Sequence, residues 1–508
     1  MTTRRDFIKK MGVGVAGTMA LPVMAAETQA DPNTWDETVD LIIIGSGFAG
    51  QSAAINAKRA GINKVVVLDK MQVIGGNSAI NGGWFAVPRN PIQLAQGIND
   101  DSPEVLVADQ IAAGRGLANP ALLQKIADHA LDSYQLCVDS GVKFREGFNQ
   151  LVGGHTKARA IRVVEGTGGG ITQRLYEVGM KEGVEYRLQH KVEDFVMTTT
   201  DKGSKIEGVI VKKGYRFPNE KTGHIVRIKA THGVVICSGG FARNKELCAI
   251  VDPALDPTFD CTNQLGATGE VTLTAMNNGA MPVHMNLIQS GHWGSPDEGG
   301  FGWSNALLSI GWHKGIGVSV NTGKRIMNER ADRLTCATAM AKERHEDNSP
   351  AYPVVFFNYN PYKDDERVVR SVRDEMAWTF NSLDELAARF NIPAAELKAT
   401  VERFNGFVKT QKDPEFGREM DSAEILKPPF VASRIWPKVH YCMGGLKTDN
   451  DARVLSSKDF QPIANLYATG EAAGGVHGST RLSSCACLEG LAMGFVLAKT
   501  LTTDIKGA

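Results

Sequence analysis

At 508 residues the chain is too long for one hydrophobic core, so two or more domains are expected. Lys+Arg and Asp+Glu each total 56, which excludes a global charge seeking nucleic acid or an anionic membrane and makes any cationic site local. The 54 glycines gather in short motifs, a pattern suited to loops that close on a large ligand.

The first 26 residues read as an export signal to be set apart from the fold. Thr3-Arg4-Arg5-Asp6-Phe7-Ile8-Lys9 precedes an apolar, Gly/Ala-rich run over 11–24, with small residues at Val23 and Ala25 before a cleavage point after Ala25 or Ala26. The paired arginines resemble a twin-arginine signal, which exports folded, cofactor-loaded proteins, so the periplasm is the expected location. An ordinary secretory signal is the alternative. The run is too short and too rich in glycine for a membrane anchor, and no other stretch reads as a span, so the mature chain is expected to lack an integral membrane segment.

Residues 39–44 read as a buried parallel strand, 51–60 as an Ala-rich helix and 64–68 as a second strand. Between the first strand and the helix lies Gly45-Ser46-Gly47-Phe48-Ala49-Gly50, and Asp69 closes the second strand with Lys70 behind it. The hexapeptide alone is a weak signal; between strand and helix, with an acid at the next strand end, it specifies a dinucleotide site. Gly45 permits the tight turn, Gly47 admits the pyrophosphate and Gly50 lets the helix pack on the sheet. The helix N-terminus at Phe48 and Ala49 then faces the phosphates, and Asp69 accepts from the adenosine ribose.

A second glycine cluster follows, Gly75-Gly76-Asn77-Ser78 with Gly82-Gly83. Residues 104–140 read as helices and 183–236 as strands with hairpin turns, Val192 among them. Ser238-Gly239-Gly240 and Thr469-Gly470-Glu471 repeat the strand-then-glycine theme. Four such turns spread along the chain point to one elongated ligand across a sheet edge, FAD rather than NAD, held non-covalently. Residues 286–441 change character, with more Trp, Tyr and Pro and amphipathic helices near 382–390 and 395–410. The expected fold is α/β: a discontinuous Rossmann-like FAD domain of the glutathione-reductase type (33–285 and 442–508) with an inserted α+β capping domain (286–441). None of the eight cysteines forms Cys-x-x-Cys or a haem-attachment motif, so no metal site is expected, and Cys485 and Cys487 read as buried thiols.

Several motifs in order resemble the soluble fumarate reductases of the flavocytochrome c type and their relatives acting on other α,β-unsaturated acids. They are Gly75-Gly76-Asn77-Ser78, Gly266-Ala267-Thr268-Gly269, Gly323-Lys324-Arg325 with Asn328-Glu329, Met443-Gly444-Gly445, and Gly474-Gly475-Val476-His477-Gly478 ending in Arg481. The resemblance covers residue 38 onward and implies hydride transfer from reduced flavin to an enoate β-carbon, with an acid protonating the α-carbon. It implies Arg481 and His440 as holders of the substrate carboxylate and Arg333 as the acid. Without those motifs, Arg325, Arg330 and Arg333 would read as one basic helix face, and His440 as a hydrogen-bonded core histidine.

The sequence departs from that family where the second fumarate carboxylate would bind. Gln289-Ser290-Gly291-His292 carries its histidine one residue late, and Leu308, Ser309 and Trp312 stand where Thr-Glu-x-x-Arg is usual. Gln289, His292, Leu308 and Trp312 are therefore expected to line a more apolar substrate site. Burying an unpaired carboxylate there would cost several kcal/mol, so acrylate, methacrylate or an aryl-acrylate is favoured over fumarate. Proton delivery must be rerouted through His313, Ser309 or water. Arg481-Leu482-Ser483-Ser484 replaces the usual Arg-Leu-Gly-Gly, and Ser483 and Ser484 are expected to bind flavin. The resemblance also implies a separate c-type cytochrome as electron donor, since no haem domain is fused here. Fumarate reductase proper, a flavin dehydrogenase of ketosteroid or amino-acid type, and a non-catalytic electron carrier are the alternatives.

Overall fold

The structure is a computed structural model, and it describes residues 34–201 and 203–507. The expected export signal lies outside the described residues. The strand Glu37–Ile44, the helix Phe48–Arg59 and the strand Val65–Leu68 form the expected βαβ unit. Both strands bury every side chain near their ends, because parallel strands are covered on both faces. Their partners in the large sheet are Glu185–Arg187, His224–Ile236 and Pro462–Ala468, all parallel in the central register. An antiparallel meander, His190–Thr200 and Gly203–Lys213, joins the same sheet. The carboxyl ends at Ile44, Leu68, Ile236 and Ala468 come out along one edge, the usual place for a ligand in such a sheet.

The helix Cys485–Gly507 packs along Phe48–Arg59 beneath this sheet. By length and composition it is apolar enough to cross a membrane, which corrects the sequence expectation that no stretch is. Within the fold, 72% of that window is buried, and Leu488, Leu491, Leu497 and Leu501 complete the core on that face.

The middle of the chain enters and leaves through one short ladder, Ile288–Gly291 against Lys438–Cys442. Between them, Ile316–Val318, Val354–Asn358, Phe430–Arg434 and Trp378–Phe380 form a four-stranded antiparallel sheet. The helices Leu383–Phe390 and Ala394–Thr410 cover it, close to the amphipathic segments read from sequence.

A closed ionic cluster ties this sheet to the start of the helix Arg333–Ala341. Glu329 accepts from Arg325, Arg418 and the Gly317 amide, and Arg325 also meets Asp413. Two buried arginines thus face two buried acids, with the more exposed Glu415 3.5 Å from Arg325. Arg330 turns away to Glu419 and Asp421 at the surface. Arg325, Arg330 and Arg333 therefore do not share a basic face; each is drawn to a different partner. Removing one member of a buried ionic cluster strands the rest, at about 3–5 kcal/mol. Arg418→Ala is accordingly expected to destabilise the folded enzyme by that amount, read as a fall in melting temperature with FAD content followed in parallel.

Candidate active site

A cavity of roughly 1310 Å³ follows the carboxyl edge of the sheet and continues under the inserted segment. That exceeds the usual range for one small ligand, so it has room for a dinucleotide and a substrate together. Ser46, Gly47, Phe48 and Ala49 line its sheet end with Asp69, Lys70, Gly75, Gly76, Asn77, Ser78 and Gly82. Val192, Ser238, Gly239, Gly470 and Glu471 continue along the edge. Gly50, Gly83 and Gly240 do not reach the cavity, and their work is packing. A Cβ on Gly50 would stand 1.9 Å from the Gly45 carbonyl, and one on Gly240 would meet the Glu471 carboxylate at 2.5 Å. Gly45 has φ +107 and faces the Cys237 carbonyl, so the first turn accepts only glycine.

Asp69 lines the cavity but first holds the turn together. Its Oδ2 accepts from the Ser46 amide and hydroxyl, and Oδ1 from the Met71 amide. Ser46 Oγ in turn accepts from Gly75 N, which joins the two glycine loops. Lys70 is engaged by Thr268 and Glu270. The buried hydroxyls of Ser238 and Ser484 line the cavity with no hydrogen-bond partner among the described residues. Phe48 N, the first amide of the helix, donates to Ser78 Oγ, and the unpartnered hydroxyls and the glycine cradle beside it together fit FAD.

Two guanidinium groups approach the cavity without an ion-pair contact, although Glu471, which lines the same cavity, feels the charge of Arg481. Arg481 is buried, donates to the Leu482 carbonyl at 2.8 Å and lies over the Tyr441 ring at 4.5 Å. Arg333 opens the helix Arg333–Ala341, capped by Asp332. Its guanidinium lies 4.5 Å over the Trp293 ring and makes one hydrogen bond, to Ser483 Oγ. Neither has a carboxylate partner among the described residues. Burial, then the charge of Arg481, holds the Arg333 guanidinium well below its ordinary pKa.

His440 is aimed by a bulge. Gln289 opposes Tyr441 and Ser290 opposes Val439, so His440 is the extra residue on its strand. Its Nδ1 meets Thr262 Oγ1 at 2.7 Å, and Nε2 makes no hydrogen bond among the described residues. Burial and the two nearby arginines push it far below the usual histidine range, so it is neutral. Burial likewise pushes His292 down to about 3.

Trp293, which sequence reasoning missed, joins these groups. It meets Arg333, His292 at 5.0 Å and His440 at 5.1 Å. Trp312 and Phe301 extend the same aromatic wall. No motif in the sequence marks Trp293, which directly follows His292.

Two expected substrate contacts do not reach the cavity. Leu308 is fully buried among Trp312, Met327, Cys336 and Ile435, because its side of the helix Ser304–Lys314 faces the core. Gln289 is buried and donates to the Arg481 carbonyl at 3.0 Å, so it braces the arginine instead. Ser483, expected to hold flavin, turns its hydroxyl to Arg333. Cys487 is only half-buried and lines the cavity, whereas Cys485 is in the core. His477 bonds Glu489, which also accepts from Tyr441 beneath Arg481.

A parallel sheet edge with this cradle and a roofed cationic pocket defines an FAD-dependent oxidoreductase. Residues 40–487 match the FAD binding domain family. The chain is 42% identical over 500 residues to the acrylate reductase flavoprotein subunit of Shewanella woodyi, covering 98% of each. It is 32% identical over 452 residues to a fumarate reductase (cytochrome) of Shewanella frigidimarina, covering 88% of this chain and 74% of that one. The open conformation of a flavocytochrome c3 fumarate reductase is similar at a TM-score of 0.75 and 25% identity, covering 92% and 79%. The chain belongs to the FAD-binding flavoprotein family of the fumarate reductases and succinate dehydrogenases. It is an FAD-dependent reductase of the enoate and fumarate class, acting on CH–CH bonds.

Burial raises the Glu471 carboxyl to about 7 from an ordinary 4.5. The folded protein therefore binds a proton more readily than the unfolded chain between those values, and stability falls as pH rises from 4.5 to 7. The contribution is on the order of 3 kcal/mol. The buried histidines act in the opposite sense. Their share cancels in the difference between wild type and Glu471→Gln, which is expected to lose this decline when melting temperature is scanned against pH.

Proposed function

We propose that this protein reduces the C=C bond of a monocarboxylic enoate such as acrylate, methacrylate or an aryl-acrylate. The observation that carries the reading is the pair of guanidinium groups without an ion-pair contact, set against an apolar aromatic wall. An ion out of water costs several kcal/mol, whereas a ring face returns about 0.5–2 kcal/mol. One substrate carboxylate makes up the difference for Arg481; a second would lie against Trp293, Trp312 and a neutral His292. Similarity to an acrylate reductase subunit supports the same substrate class.

When bound and reduced, FAD, taken as non-covalent, supplies the hydride. The protein's part is binding and proton transfer. Arg481 pairs with the carboxylate, where negative charge grows in the transition state. Neutral His440 offers Nε2 to the same carboxylate, its ring held from behind by Thr262. Arg333 then protonates the α-carbon. Guanidinium is a poor acid in water, but burial and the neighbouring Arg481 favour its neutral form. Arg333 thus combines the position and the depressed pKa of a general acid.

Export by the twin-arginine route, a periplasmic location and a separate c-type cytochrome donor complete the proposal. The cytochrome-linked relative supports the donor. Viologen-reduced enzyme offered a panel of enoates is expected to be reoxidised fastest by acrylate-type monocarboxylates, and faster turnover of fumarate would defeat the assignment. Arg333→Ala is expected to lower kcat at least about a hundredfold; wild-type turnover would remove it as the acid. Arg481→Met is expected to raise KM and lower kcat together, by about 2 kcal/mol or more in kcat/KM.

A further inference from the structure

We propose that the Ser483 hydroxyl is the group that returns the proton to Arg333 after each turnover. This rests on Arg333 being the acid. Having given its proton to carbon, Arg333 must recover one before the next cycle, from a group within hydrogen-bond reach.

Ser483 Oγ is the sole hydrogen-bond partner of the Arg333 guanidinium among the described residues. Arg333 Nη1 is sealed from solvent without a partner. Ser309 lines the cavity, but its hydroxyl donates to the Ala306 carbonyl and accepts from Arg367. His313 also lines the cavity and makes no side-chain bond to Arg333. Asp332 is occupied by the first turn of the helix, Thr335 and Arg115. Among the described residues, only Ser483 both hydrogen-bonds the guanidinium and lines the cavity.

The chemistry suits a hydroxyl. It accepts from charged Arg333 Nη2 and can donate to the same nitrogen once that nitrogen is neutral, because it carries both a lone pair and a proton. In the return step Ser483 Oγ–H passes its proton to Nη2, and Oγ takes a proton from a cavity water, which leaves hydroxide to be neutralised by solvent. A carboxylate in that place would hold Arg333 charged and oppose its acid role.

The turn that presents Ser483 is fixed from behind. His155 Nε2 lies 3.0 Å from the Ser483 carbonyl, and Arg159 Nη1 lies 3.1 Å from His155 Nδ1. An arginine can only donate, so Nδ1 accepts, and Nε2 carries the hydrogen that reaches Ser483 O. Arg159 is itself clamped by Asp101 and Asp109 in full burial. This buried chain keeps Ser483 from drifting away from Arg333.

The test separates one turnover from many. Holoenzyme of Ser483→Ala and Ser483→Thr, each checked for FAD content, is reduced with viologen and mixed with acrylate. A single reoxidation begins with Arg333 protonated, so Ser483→Ala is expected to remain within about threefold of wild type in that phase. Its steady-state kcat is expected to fall about tenfold or more, with an enlarged solvent deuterium isotope effect and KM little changed. Ser483→Thr keeps the hydroxyl and is expected to restore the steady state. Equal losses in both phases would make the hydroxyl a mere prop for Arg333 and overturn the proposal. So would an unchanged steady state, or loss of FAD from Ser483→Ala, which would assign the hydroxyl to the cofactor. Arg333→Ala run alongside is expected to lose both phases; if it keeps them, the identity of the acid fails instead.

Discussion

Two arginines brought into one cavity without an acid between them are the constraint on which the rest of the site depends. Arg333 and Arg481 repel each other, and burial weakens the water that would screen them. The fold answers with rings beneath the charges, Trp293 and Tyr441, and with single neutral oxygens, Ser483 Oγ and the Leu482 carbonyl. These contacts soften the cost, and in the proposed function a substrate carboxylate would meet the remainder.

The nearby ionic groups show that the missing acids are local to the site. Arg325 and Arg418 are buried more deeply than Arg333 and are matched by Glu329 and Asp413. Arg159, the largest fully buried side chain, is matched by Asp101 and Asp109. Each cluster stands behind the site: one sets the start of the helix that carries Arg333, the other the turn that carries Ser483. Glu489 serves Arg481 at one remove, through Tyr441. Rigid, ion-paired scaffolding surrounds a centre whose two arginines have no ion pair.

Much of the fold was legible because it rests on local patterns. The first strand, the glycine turn and the second strand follow one another within about thirty residues of a βαβ unit, and Gly45 and Gly50 occupy places where a side chain would strike a backbone carbonyl. Motifs flanking Arg333, His440 and Arg481 pointed to these residues, and the structure places all three on the cavity. Leu308 and Gln289 were misplaced because spacing names a position but not the face it presents. Both belong to elements with one side in the core, and they fell on that side. Trp293 was invisible for a related reason: nothing near it in sequence announces a ring that contacts Arg333, His292 and His440 at once.

By itself the sequence determined the dinucleotide turn and the loss of the charged residues expected around Leu308 and Trp312, since both depend on residue type at short range. The tertiary structure decided what those losses mean. A bulge opposite Gln289 turns His440 into the cavity, and a turn held by His155 sets Ser483 against Arg333. The interacting residues are 150 positions apart for Arg333 and Ser483 and 178 for Thr262 and His440. Such contacts arise only when separate elements pack, and no periodicity or motif along the chain encodes them.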